Sequence, residues 1–184
     1  MSQSDLEQEL YEELCSFWTI DAHEHLPPEV SRLDETKDFY SLFEHYCQGD
    51  LLAAGASTED LAVFADRERP LSERWKRFSP FLSRIRGGGY ARAALLVVRD
   101  ILGLADLNDD TFPAVSDALQ ELNCPGLYEY ILKERCRIAA CIECCCLDKG
   151  PYPDYFYHIA AGTDVLDLDK RSPVNELARQ CDRD

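Results

Sequence analysis

The chain has 184 residues, 46% of them hydrophobic, which is the size of one domain with ample apolar content for a sizeable core. Its formal net charge of −16 argues against nucleic acid and anionic membranes as partners, because both bind a concentrated basic face. The nine cysteines do not form a spaced disulfide framework, and the acidic N-terminus lacks the regions of a secretory signal. We therefore expect a globular cytoplasmic protein, with no run of about 20 apolar residues that could cross a bilayer.

The chain begins with a predicted helix that leads into a short strand. Apolar residues recur at helical spacing over residues 5–17, and Ser4 with Glu7 forms a capping-box pattern at the start. The apolar run 17–20 then enters a segment that contains two histidines. A helix followed directly by a short apolar strand is the predicted opening of the fold.

Two histidines stand at alternating positions where this strand meets a pair of prolines. His23 and His25 point to the same side, roughly 6.5 to 7 Å apart, and Pro27 and Pro28 end the strand. Imidazoles at that separation lean toward one ion, with each nitrogen about 2.0 to 2.1 Å from a zinc-like metal. Glu24 should face the other way or orient one ring. The alternative is a pair of core or cap histidines, because His-x-His also occurs by chance.

The long segment after the prolines, up to residue 136, has the apolar spacing of helices. Ser57 with Asp60 and Thr111 with Pro113 mark two helix starts. The three glycines at 87–89 are expected to separate two helices rather than to cradle a phosphate. The predicted helices are one from 39 to near 55, a short one from 57, one over 70–85, a buried one over 90–102, one from 111 and one over 127–136.

After residue 137 the pattern changes to that of strands. Residues 138–147 form a continuous apolar run, typical of a strand buried on both faces, and residues 155–160 predict a third strand. Glu143 in the first of these requires a partner or a barrel mouth, because an unpaired buried carboxylate is costly. His158 in the second is predicted to be structural, and a terminal helix is predicted from residue 172.

Four of the cysteines fall in this apolar run. In a strand Cys144 and Cys146 share one face while Cys141 and Cys145 share the other, so the four cannot converge on one ion. A thioredoxin-type Cys-x-x-Cys pair would also need a helix N-terminus behind it. We predict that these cysteines act as small buried hydrophobic side chains.

The order of elements resembles a known enzyme superfamily. A helix, a short apolar strand and the motif Asp21-x-His23-x-His25 resemble the first barrel strand of the amidohydrolase superfamily of metal-dependent (β/α)8 barrels. The helical segment and the strand after it resemble the uronate-isomerase branch at Trp75, Gly89, Tyr90, Leu102, Gly103 and residues 107–111 and 137–141. The resemblance implies an α/β fold: a partial TIM barrel of the first two or three strands, with a large, mainly helical insertion over 30–136 after strand 1.

The resemblance also implies a site. His23 and His25 would bind a divalent metal ion, expected to be zinc, at the carboxyl mouth of the barrel, and Tyr90 and Arg92 would contact a small-molecule substrate. The remaining ligands and the catalytic groups of this superfamily come from later strands, so no catalytic residue is assigned within the chain. A complete barrel takes about 250 residues, and we therefore expect the chain to be the N-terminal portion of a longer enzyme.

Three functions follow from these patterns. The leading one is a metal-dependent hydrolase, in which metal-activated water attacks a carbonyl carbon. The second is a uronate-isomerase-like sugar-acid isomerase, which the long helical segment favours. The third is a non-catalytic helical interaction module that keeps the barrel start as a scaffold. An unclosed sheet exposes strand edges, which can pair with another chain segment or with a second copy of the chain in a homo-oligomer.

Overall fold

The computed structural model describes residues 3–144 and 151–158, and this part of the chain is α/β with a three-stranded parallel sheet. The chain divides into two compact units. The sheet unit combines Met1–Arg32 with Gly126–Asp184, and the helical unit is Leu33–Pro125. The coarse class predicted from the sequence is confirmed. The interpretation of the helical unit as an insertion into a barrel stays a prediction.

The sheet unit is built on three short parallel strands in the order β1-β2-β3. Helix α1 spans Gln3–Ser16 and β1 spans Thr19–Glu24. A 3-10 turn at Glu29–Arg32 and a π-helical turn at Glu129–Arg135 precede β2, Ile138–Glu143, and β3, Phe156–His158. Residues 145–147 and 159–160 of the predicted strands, and the predicted helix from 172, lie outside the described residues.

Helix α1 confirms the predicted helix but not its predicted cap. The described helix begins at Gln3, so Ser4 lies within its first turn, and the capping box of Ser4 with Glu7 stays a prediction. The apolar residues that gave the helical spacing are largely exposed, Leu10 at 50% and Leu14 at 66%. The periodicity therefore identified the helix correctly, and its apolar face is largely exposed among residues 3–144 and 151–158.

The helical unit has an aromatic interior. A 3-10 turn at Phe39–Leu42 precedes five helices: α2 at Cys47–Ala53, α3 at Thr58–Ala65, α4 at Leu71–Ile85, α5 at Gly89–Leu96 and α6 at Phe112–Leu122. Fully buried rings of Phe39, Tyr40, Phe43 and Phe64 surround Phe78 of α4, with ring centroids 4.9 to 5.9 Å from it. Contacts between rings at these distances add to the free energy gained by burying their area.

Helix starts were predicted better than helix continuity. Ser57 caps α3 through a reciprocal capping box with Asp60, and Pro70 stands at the start of α4, both as predicted. The single helix predicted from 39 to near 55 is wrong, because His45 adopts a left-handed φ of 58° between the 3-10 turn and α2. Gly55, with φ of 99°, terminates α2 near the predicted end.

The helix predicted to be buried all round over 90–102 is buried on one face only. Helix α5 continues into a π-helical turn at Val97–Ile101, and Ala91, Ala94 and Val98 form the buried face. Tyr90 and Arg92 are exposed. The high apolar content of this segment therefore led to an overestimate of the buried share of its surface.

Arg74 of α4 is the largest fully buried side chain in the helical unit. Its Nη1 donates to Asp38 Oδ2 at 2.6 Å, and its Nε and Nη2 donate to the carbonyl oxygen of Phe64 at 2.8 and 2.6 Å. Asp38 in turn caps the turn Phe39–Leu42 by accepting from the backbone N–H of Tyr40. One guanidinium thus joins α4 to the end of α3 and to the start of the unit.

Removal of this guanidinium should severely destabilise the helical unit. Arg74→Ala removes the closest cation of the buried Asp38 carboxylate and both hydrogen bonds to Phe64, and leaves Asp38 only the longer pair with Arg67 at 3.3 Å. We expect a loss of about 3 kcal/mol in the free energy of unfolding. The matched control is Arg69→Ala, which removes an exposed guanidinium that pairs with Asp66 and Glu73 and should change stability little. Urea unfolding measures both variants, and equal effects would contradict this account of Arg74.

Candidate functional site

The carboxyl ends of the three strands lie side by side. The parallel register pairs Glu24 at the end of β1 with Glu143 at the end of β2, and Glu143 with His158 at the end of β3. The carboxyl end of a parallel sheet is where α/β proteins bind their ligands, because the strand ends and following loops present side chains there. Titratable side chains from all three strands meet at this edge.

The structure brings the two predicted metal ligands together. Nε2 of His23 lies 2.7 Å from Nε2 of His25, and the ring centroids are 4.6 Å apart. The backbone N–H of His23 donates to Asp21 Oδ1, and that of His25 donates to Glu24 Oε2, both at 3.2 Å. Side chains of β1 thereby hold the strand end from which both rings project.

The donor types of this pair fit a divalent transition metal. Two nitrogens on one tetrahedral ion, each at about 2.0 to 2.1 Å, would lie about 3.3 Å apart, so the exposed rings need to separate only slightly. Within residues 3–144 and 151–158, no three His, Cys, Asp or Glu side chains are grouped to hold a metal ion. The pair is therefore half of a zinc-type ligand set, and metal binding by it stays a prediction.

The chain just after the histidines is anchored to the segment that precedes β2. Tyr128 Oη donates to the carbonyl oxygen of Pro27 at 2.6 Å. The carboxylate of Glu29 accepts from the backbone N–H groups of Gly126 and Tyr128, at 3.0 and 2.7 Å. Burial raises the pKa of the Tyr128 phenol, which keeps its proton available for the hydrogen bond. These contacts hold the chain that directly follows the two histidines.

Glu143 is a carboxylate in an apolar strand, and the structure gives it the partner that the sequence predicted it to need. It is fully buried, and its Oε2 lies 3.5 Å from Nδ1 of His158. The ring of His158 also packs edge-on against Tyr152, at 4.4 Å between centroids. The sequence indicated that Glu143 needed a partner, but it did not identify His158, because the pairing depends on the register of β2 and β3.

Glu24 has an unusual proton affinity for a carboxyl group. Burial, followed by the hydrogen bond and the charge of Asp21, raises its pKa to about 7. The negative charge of Glu143 raises it further, while the hydrogen bond from the backbone of His25 acts in the opposite direction. The native chain therefore favours the protonated carboxyl more than an unfolded chain does.

The two described cysteines of the apolar run differ from each other. Cys141 is fully buried and burial raises the pKa of its thiol to about 11, in keeping with the predicted hydrophobic role. Cys144 is only half-buried, and its Sγ lies 3.2 Å from Nδ1 of His23. Strand alternation alone did not predict this contact, since it spans 121 positions in sequence and depends on how β1 pairs with β2. Cys145 and Cys146 lie outside the described residues.

The two predicted substrate contacts lie in the helical unit. Tyr90 and Arg92 are in the first turn of α5, and both side chains are exposed. The ring of Tyr90 stacks on Tyr46, with centroids 5.4 Å apart and planes 12° from parallel. A substrate-binding role for these two residues stays a prediction.

Comparison with known proteins adds no relative. No family model, no curated protein and no solved structure matches the chain. Among the described residues, no helix has both the length and the apolar character required to cross a membrane.

The proton affinity of Glu24 should make stability depend on pH. Its folded-state pKa, about 7, lies above the ordinary value of 4.5, so the native state retains a proton that the unfolded chain releases. The stability it contributes is fully present below pH 4.5 and is lost as pH rises through 7.

Glu24→Gln removes this linkage. Between about pH 5 and 8, we expect the metal-free wild type to lose about 1 kcal/mol more stability than the variant, a figure reduced for solvent screening at a half-exposed carboxyl. Urea unfolding at a series of pH values measures the difference. Parallel stability curves for the two proteins would contradict the raised pKa.

Proposed function

We propose that the chain is the N-terminal part of a metal-dependent hydrolase of the amidohydrolase type, with His23 and His25 as ligands of a divalent cation, expected to be zinc. The observation that carries this proposal is the convergence of the two Nε2 atoms, 2.7 Å apart, at the carboxyl end of a parallel strand. Neutral imidazole is a preferred ligand of zinc, and the carboxyl end of a parallel sheet is a preferred place for ligands.

A bound divalent cation would supply a Lewis acid and lower the pKa of a coordinated water toward neutrality. The described residues around it have separate roles. Asp21 and Glu24 hold the backbone of the two histidines in place. Burial and Asp21 raise the pKa of the Glu24 carboxyl in the metal-free chain, and a bound cation would favour its charged form. Glu143 places a buried carboxylate beside His158 at the same edge.

The proposal includes ligands beyond the pair. Catalytic zinc sites use three protein ligands and structural ones use four. The described residues provide two, so we propose that later strands of a (β/α)8 barrel complete the set, with the helical unit as an insertion after the first strand. The substrate would be a small molecule, and Tyr90 and Arg92 would contact it.

A uronate-isomerase-like sugar-acid isomerase is the second candidate. The observation that favours it is the compact helical unit, Leu33–Pro125, between β1 and β2, because βα loops usually have only about 2 to 6 residues. In that enzyme the cation would position a sugar acid, and the proton would be moved by a base outside this chain. A cytoplasmic location suits both enzymes and is supported by the cysteines of the described residues, all free thiols.

Metal binding at equilibrium tests the proposal. The wild-type chain, dialysed to equilibrium against excess zinc, should hold about one zinc ion by elemental analysis, because a two-histidine site binds too weakly to keep the ion once free zinc is removed. His23→Ala and His25→Ala should each lose it, because either change leaves a single imidazole from the pair. His45→Asn is the matched control: it removes an exposed imidazole of the helical unit, Asn tolerates the left-handed backbone there, and metal should be retained.

Two results would count against the proposed function. One is a wild-type chain free of metal at a solubility equal to that of the variants. The other is equal metal content in all four proteins, which would show binding elsewhere. Either result would favour the non-catalytic interaction module, in which the two histidines are dispensable.

A further inference from the structure

His23 has a hydrogen-bonding neighbour on each side of its ring. Its Nε2 faces Nε2 of His25 at 2.7 Å, and its Nδ1 lies 3.2 Å from Sγ of Cys144. Cys144 directly follows β2, and its backbone N–H donates to the carbonyl oxygen of Glu24 at 3.0 Å. This backbone bond extends the pairing of β1 with β2 and fixes the thiol beside the histidine strand.

A second contact of the thiol indicates the direction of the bond to His23. Sγ of Cys144 lies 3.5 Å from the carbonyl oxygen of Ile142, which can only accept a hydrogen bond. With the S–H group directed to Ile142, the sulfur lone pairs remain to accept from His23 Nδ1. The resulting chain of donors runs from His23 Nδ1–H to the thiol and from the thiol to the carbonyl.

We propose that Cys144 is a positioning residue for His23: its sulfur accepts the Nδ1–H hydrogen and holds the neutral ring in the tautomer whose Nε2 lone pair is free to bind a metal. The inference rests on the proposed function. A histidine that binds metal through one nitrogen needs an acceptor at the other, which sets both the tautomer and the orientation of the ring.

The geometry also excludes Cys144 as a ligand of the same ion. The two nitrogens of an imidazole point to different sides of the ring, so Cys144 and His25 contact opposite sides of His23. An ion held between the two Nε2 atoms is therefore separated from the sulfur by the ring itself. Cys144 would therefore contact His23, and only the two histidines would bind the ion.

The opposite direction of the hydrogen bond is the main alternative. If the thiol donated to Nδ1, as in the Cys–His pairs of nucleophilic catalysis, His23 would carry its proton on Nε2. That tautomer could not bind metal through Nε2 without first losing the proton. The tautomer of His23 in the metal-free chain therefore distinguishes the two arrangements.

Imidazole ¹⁵N NMR of the metal-free full chain measures this tautomer, with the His23 signals assigned by their loss in His23→Ala. We expect the Nδ1–H form in the wild type and in Cys144→Ser, whose hydroxyl can replace both hydrogen bonds of the thiol. Cys144→Ala should show a mixture of tautomers. A wild-type ring protonated on Nε2, or an unchanged tautomer in Cys144→Ala, would overturn the inference.

Zinc affinity, measured by competition with a chromophoric chelator, provides the second readout. Loss of such a hydrogen-bond acceptor typically weakens metal binding about 10- to 100-fold, which we expect for Cys144→Ala. Cys144→Ser should lie closer to wild type than to Cys144→Ala. Cys124→Ala, which removes an exposed thiol of the helical unit, should match wild type.

Failure of the inference is distinguishable from failure of the proposed function. If His23→Ala and His25→Ala lose zinc while Cys144→Ala binds it as tightly as wild type, the proposed function stands and the role of Cys144 is overturned. Equal weakening by Ser and Ala at position 144 would also overturn it. If the wild type binds no zinc, the proposed function fails, and the NMR result alone decides whether Cys144 orients His23.

Discussion

The candidate site depends on the parallel pairing of β1 with β2. This pairing aligns Asp21 with Cys141 and Glu24 with Glu143, and it is extended by the hydrogen bond from the backbone of Cys144 to Glu24. Residues that are far apart in the chain are thereby brought into contact at one edge. A shift of one residue in a strand would turn every side chain to the other face, so the register determines whether His23 meets Cys144.

The helical unit between these strands has its own interior. Its aromatic core and the buried pair of Arg74 with Asp38 stabilise it through contacts within Leu33–Pro125. Burying both charges costs their hydration, which offsets much of the attraction between them, whereas removal of one partner leaves a buried charge and is destabilising. Among the described residues, the buried side chains of this core all lie between Phe39 and Val115.

Local signals predicted local structure well. Neighbouring residues predict the cap of α3 at Ser57, the start of α4 at Pro70 and the strand that carries His23. The interruption at His45 was missed, because a left-handed conformation at a residue other than glycine has a weak sequence signal.

Within the site, the sequence predicted that the two histidines share a face and that Glu143 needs a partner. The pairing of Glu143 with His158 and of Cys144 with His23 was not predictable, because both depend on strand register over long separations. Strand alternation alone was the basis for predicting that the four cysteines of residues 138–147 do not share one site. Alternation assigns a face to each side chain, but it does not say which strand lies alongside.

Zinc K-edge X-ray absorption on the zinc-loaded chain tests the central claim most directly. The claim is that His23 and His25 bind the metal, while Cys144 contacts His23 and not the metal. The account predicts imidazole scattering with nitrogen at about 2.0 to 2.1 Å and no sulfur at about 2.3 Å. A sulfur in the first shell, or a shell without imidazole, would contradict it.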